Sequence, residues 1–164
     1  QPNPGRTHLA NLSSDLGRFS LAQGAQRKAV DAFRSAVEIE PLSAKRWDNL
    51  GAALSTVGQF ESAIEATGHA LSLEPRLMSA RINRARYLIA VSDWSGAIDT
   101  LNALLANAEH AEAFALRGVA RGNLGELGAA ERDFDSALLL DPKQPEARSG
   151  KALILRSKRN EAEQ

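Results

Sequence analysis

The chain has 164 residues and no cysteine, and its 29 Ala and 22 Leu stand against 5 Val and 6 Ile. Ala and Leu favour helix, whereas sheets lean on β-branched and aromatic residues, so the composition argues against all-β and parallel α/β folds. Twenty Lys and Arg cancel twenty Asp and Glu, which removes the overall field that would draw a nucleic acid or an anionic membrane. No apolar run approaches the ~18 residues of a membrane helix, and without Cys there are no disulfides, thiolate metal sites or Cys nucleophiles.

In chain order, residues 1–9 carry Pro2 and Pro4 and read as a leader or as the end of a preceding repeat. From Ala10 the sequence repeats with a period of 34 residues, in segments 10–43, 44–77, 78–110 (one residue short) and 111–144, followed by 145–164. The frame is set by the segment from Ala44 to Leu77. Position 8 reads Gly17, Gly51, Ala85, Gly118 and Ala152, and position 20 reads Ala29, Ala63, Ala97 and Ala130. Position 24 gives Phe33, Thr67, Leu101 and Phe134, while position 32 gives Pro41, Pro75 and Pro142.

Small residues at positions 8, 20 and 27 let two antiparallel helices approach closely, with bulky residues filling the seam. In the second segment Trp47, Leu50, Gly51 and Leu54 form one stripe of a helix A over about 44–57. Gly58 ends it, Phe60 opens a helix B, and Pro75 stops that helix because it lacks an amide donor. The corresponding turns carry Gly24, Ser92 and Gly125, where glycine serves as the left-handed C-cap. Position 4 supplies a large aromatic anchor only at Trp47 and Phe114. Position 7 is Arg84, Arg117 and Lys151 in the later segments, with long stems that pack while the charge reaches water. The last segment has a helix A alone and, with Lys151, Arg156, Lys158 and Arg159, reads as a polar capping helix.

This spacing resembles the tetratricopeptide repeat family, whose pattern W-x2-L-G-x2-Y, A-x3-F, then P has the same period. The resemblance covers residues 10 to about 158. It implies an all-α fold, a right-handed α-solenoid of antiparallel helix hairpins, and a non-enzymatic module that binds a peptide or helix of a partner protein. It also implies that positions 2, 5, 6, 9, 12 and 13 of each helix A face the ligand. The residues it assigns to that groove are Arg18, Asn49, Ile82, Asn83, Arg86, Ile89, Ala115, Leu116 and Val119. Asn49 and Asn83 share position 6 and can both donate to and accept from a peptide backbone, and the apolar set around Ile82 and Val119 adds a second contact. The carboxylate clamp of some family members is not matched, since its frame falls on Ser14, Arg18, Asn49, Ser79 and Asn83.

No catalytic constellation, cofactor motif or metal-ligand spacing is present: His8, His69 and His110 are isolated, and Ser149-Gly150-Lys151 lacks the other elements of a phosphate loop. Asp133 and Asp135, with Arg132 beside them, read as a solvated face. Other roles consistent with the repeat are the recruiting arm of a larger bacterial enzyme of glycosyltransferase or sulfotransferase type and an envelope-assembly lipoprotein. Fifteen Arg against 5 Lys point to a GC-rich, bacterial genome, and the chain reads as soluble, cytoplasmic or periplasmic.

Overall fold

A computed structural model describes residues 4–162, with side chains through residue 160. The described residues form nine α-helices: α1 Pro4–Ala22, α2 Gln26–Ile39, α3 Ala44–Thr56, α4 Phe60–Leu73, α5 Met78–Ala90, α6 Trp94–Leu105, α7 Ala111–Asn123, α8 Leu127–Leu140 and α9 Pro145–Ala162. Two compact units, Gln1–Tyr87 and Leu88–Gln164, divide the chain inside α5. No described helix is long and apolar enough to cross a membrane.

In the first unit α1 pairs with α2 and α3 with α4 as helix hairpins, and α2 packs on α3. Their shared core contains Ala29, Val30, Phe33, Leu50, Ala53, Leu54, Ala63 and Tyr87. The demand for a small residue at position 8 has a direct cause, because position 24 of the paired helix abuts it. A Cβ on Gly17 would lie 2.7 Å from the Phe33 ring, and one on Gly51 would lie 3.0 Å from the Thr67 methyl. Residues 4–9, read from sequence as part of a leader or of the end of a preceding repeat, form the first turns of α1. Pro4 suits a first helical position because its missing N–H has no intrahelical partner there. Arg6 Nη2 then donates to Ile39 O at 2.8 Å, and the Thr7 hydroxyl donates to Glu40. The expectation for residues 1–3 lies outside the described residues.

In the second unit α7 and α8 form a hairpin, α6 packs on α7, and α9 lies against both α7 and α8. Gly118 repeats the position 8 contact, with its would-be Cβ 2.6 Å from Phe134. Ala152, read as the small residue of the last segment, is exposed. The close approach of α9 is made at Gly150, whose would-be Cβ lies 2.3 Å from the other side of Phe134. Position 8 packs on the helix B of its own segment, and no helix follows α9 among the described residues.

The turns follow the sequence. Gly24, Gly58 and Gly125 have φ of 72°, 77° and 82°, and each has open space where a Cβ would stand. Their backbone conformation, rather than crowding, selects glycine. Ser92 holds the same conformation at φ 61°. Its turn is closed by Asp93 N donating to Leu88 O at 2.8 Å, after which the Asp93 carboxylate caps α6 by accepting from Gly96 N at 2.9 Å. The shortened turn ends at His110, whose Nδ1 faces Ala113 N as the cap of α7.

Candidate functional site

The run Lys45-Arg46-Trp47-Asp48-Asn49 on α3 organises the polar face of the first unit. Successive residues are rotated by roughly 100° on a helix, so Lys45 and Asn49 share one face, Arg46 and Asp48 leave by opposite flanks, and Trp47 points back. Trp47 is half-buried rather than fully buried. Its ring stacks on His69 of α4 with centroids 4.5 Å apart, and its Nε1 donates to Pro41 O at 2.8 Å. This stacking gives His69 a packing role.

On the first flank, the buried Arg46 ties α3 to α1 and to the end of α2. Its Nε donates to Glu40 at 2.8 Å, Nη1 to Ala10 O at 3.0 Å and the Ser14 hydroxyl at 2.8 Å, and Nη2 to Asn11 Oδ1 at 3.0 Å. Nη2 also pairs with Glu40 Oε2 at 2.7 Å, so all five guanidinium N–H groups have acceptors. The Thr7 hydroxyl and then Arg46 hold the Glu40 carboxyl below the usual carboxylate range, against the opposing effect of burial.

On the second flank, the buried Asp48 faces α5. It accepts from Ser79 Oγ at 2.6 Å and from Asn83 Nδ2 at 2.9 Å. Asn83 therefore does not present a free amide, as the sequence suggests. One of its two N–H donors is committed to Asp48, because a carboxylate can only accept.

Between these flanks Asn49 is half-buried, and its side chain makes no hydrogen bond among the described residues. It lines a polar cleft of about 360 Å³ between α1 and α3, together with Asn11, Ser14, Arg18, Lys45 and Arg46. Arg18 is exposed there and pairs with Asp15 of the same cleft. Arg86 is exposed on α5, one turn beyond Asn83.

The apolar half of the expected groove requires correction. Ile82, Ala115 and Leu116 are 8%, 0% and 4% exposed and belong to the interior. Position 5 is closed off in four successive segments, where Ser14, Asp48, Ile82 and Ala115 are all buried. Leu116 lies on α7, against which α9 packs. Ile89 and Val119 are half-buried. Val119 lines an apolar cleft of about 290 Å³ with Leu127, Phe134, Leu153 and Ile154, within residues 88–164.

Asp133 also departs from expectation, since it is buried and not on a solvated face. Arg117 grips it with two bonds, Nε to Oδ2 at 3.0 Å and Nη2 to Oδ1 at 2.7 Å, and Arg121 Nη1 adds a third at 2.9 Å. Arg132 is not among these partners. The position 7 cations likewise pair with protein groups, with Lys151 doing so at an exposed site. Arg84 Nη1 donates to Ile64 O at 2.9 Å beside Gly68, Arg117 reaches Asp133 and Asn102, and Lys151 pairs with Asp135, which raises the Lys151 pKa.

Sequence reading missed Arg46 and Arg117–Asp133 as organising groups. A signal for Arg46 exists, because position 3 reads Leu12, Arg46, Ala80, Ala113 and Ala147. A cation in that otherwise apolar column needs buried acceptors nearby. Among the described residues no group of three or more His, Asp or Glu is placed to hold a metal ion.

No protein-family model matches the chain. Among curated proteins it is similar to peroxisomal targeting signal receptors. The similarity is 34% identity over 86 residues for that of Kluyveromyces lactis, and 40% over 65 residues for that of Saccharomyces cerevisiae. These stretches cover 52% and 40% of this chain but only 15% and 10% of the two receptors. Among solved structures, the chain matches MamA of Desulfovibrio magneticus with TM-score 0.82 and 21% identity, covering 91% of this chain and 85% of that one. It matches a tetratricopeptide repeat protein of Parabacteroides merdae with TM-score 0.81 and 25% identity, over 93% and 61% of the two chains. YrrB, described as a tetratricopeptide repeat protein with an unusual peptide-binding site, matches with TM-score 0.78 and 21% identity, over 87% and 74%.

Proposed function

We propose that this chain, which has the tetratricopeptide fold of an all-α solenoid of antiparallel helix hairpins, is a non-enzymatic protein–protein interaction module. It takes a peptide segment of a partner along the helix A face of residues 4–87, and the Asn49 amide makes the central contact. The observation that carries this reading is the side chain of Asn49, half-buried at the edge of a polar cleft without a hydrogen-bond partner among the described residues. A primary amide supplies one acceptor and two donors, which matches the alternating C=O and N–H of an extended backbone. Arg18, Asn83 and Arg86 flank it as secondary contacts. The similarity to receptors for a targeting signal and to a protein with a peptide-binding site fits a peptide ligand.

The test is selection of displayed random peptides on the full chain, followed by mapping of the tightest binder by side-chain amide NMR. The Asn49 amide signals should shift on titration. A binder that leaves them unmoved overturns the assignment.

A further inference from the structure

We infer that α3 divides this face into a hydrogen-bond-donating flank and a hydrogen-bond-accepting flank. The bound peptide accordingly carries an acidic residue over the first and a basic residue over the second. This rests on the peptide-binding reading above and specifies the chemistry of the ligand.

Two buried charges on one helix set this polarity. Arg46 and Asp48 are two residues apart, so they leave α3 by opposite sides. Arg46 can only donate. Asn11 must therefore turn its Oδ1 toward Arg46, at 3.0 Å, which leaves its NH2 for the open face. The Ser14 hydroxyl is used as well, accepting from Arg46 and donating to Ala10 O at 3.0 Å. Beside them the exposed Lys45 ammonium has no ion pair or hydrogen bond among the described residues, and the Asp15 carboxylate is neutralised by Arg18. Apart from the Asn49 amide and the Ser43 hydroxyl, which can both donate and accept, the groups left to a ligand between α1 and α3 are mainly donors, with an excess of positive charge.

The other side has the opposite polarity. Asp48 can only accept, so it draws the Ser79 O–H and the Asn83 NH2 toward itself. What remains is lone pairs on Ser79 Oγ and Asn83 Oδ1, with one Asn83 N–H, around a carboxylate whose two hydrogen bonds come from neutral donors. Arg86 lies one turn further along α5, so the accepting patch covers the first half of that helix. Acceptors outnumber donors here, and a cation is favoured by Asp48, whose charge has no ion pair among the described residues.

The spacing follows from helix packing. The two flanks are separated by one distance between neighbouring helices, about 10 Å. An extended peptide of polyproline II type advances ~3.1 Å per residue and returns to the same face every third residue, so the acidic and basic residues stand about three positions apart.

The test uses the full chain and four fluorescent Gly/Ser peptides of one length. At two positions three apart they carry Glu and Lys, Gln and Met, two Glu, or two Lys. The Glu and Lys peptide should bind roughly tenfold tighter than the Gln and Met peptide, the scale of charge-assisted bonds at a partly exposed site. Lys45→Glu and Asp48→Asn should each erase that preference. If Asp48→Asn lowers the helical circular dichroism signal, Asn83→Ala reads the accepting flank in its place. Equal binding of all four peptides, with shifts of the Asn49 amide, overturns the polarity and leaves peptide binding standing. Tightest binding by the two-Glu or the two-Lys peptide also overturns it. Absence of any Asn49 shift overturns both readings.

Discussion

Glu40 illustrates how a single side chain couples chemistry to the organisation of the face. The hydroxyl of Thr7 and the guanidinium of Arg46 both favour its charged form, which lowers its pKa in the folded chain. A depressed carboxylate contributes stability that is present above the ordinary carboxylate pKa and lost as pH falls through the folded value. Melting temperatures of the wild type and Glu40→Gln should therefore differ at neutral pH and converge as the solution is acidified below about pH 4. A constant difference would show that Glu40 is not the titrating group. Asp133 permits a blunter test, because two arginines converge on a carboxylate that is 4% exposed. Asp133→Ala leaves both cations without their counter-charge and should cost about 3 kcal/mol in urea unfolding. A cost below ~1 kcal/mol would return this residue to the solvated face that its neighbour Arg132 suggests.

At the level of helices, the fold was legible because contacts within a hairpin recur at a fixed separation. Gly17 with Phe33, Gly51 with Thr67 and Gly118 with Phe134 are the same pair, positions 8 and 24, met three times. The Phe134 ring is held between Gly118 and Gly150. Gly118→Ala should thus destabilise the chain by ~1–3 kcal/mol through overpacking. Adding Phe134→Leu, which removes the ring that the new methyl strikes, should make the double variant less unstable than the sum of the two single changes. Strict additivity in a double-mutant cycle would contradict the contact. Contacts between segments were harder to read. Apart from Glu40, the partners of Arg46 and Asp48 lie 31 to 36 residues away, one repeat before or after. A stripe read along one helix places each residue on a face but does not say which neighbour closes that face. For this reason Ile82 and Ala115 read as open groove although position 5 is closed by packing, and Asn83 reads as a free amide although Asp48 holds it. Asn49 is half-buried at the edge of a polar cleft, and its side chain makes no hydrogen bond among the described residues.

Over the whole chain, positive and negative charges balance at 20 each. On the proposed reading, partner encounter would be governed by local groups such as Lys45, Arg18 and Asn49 rather than by a long-range field, and the contribution of the unpaired Lys45 should weaken most with salt. The curated relatives are much longer proteins, of which this chain matches 15% and 10%. On the proposed reading Asn49 on the helix A face holds a partner's peptide. The most direct measurement is the dissociation constant, by titration calorimetry, of the tightest display-selected peptide for the wild type and Asn49→Ala, with circular dichroism confirming equal helicity. Loss of the amide contacts predicts roughly tenfold weaker binding to the variant. Equal dissociation constants for the two chains would contradict the account.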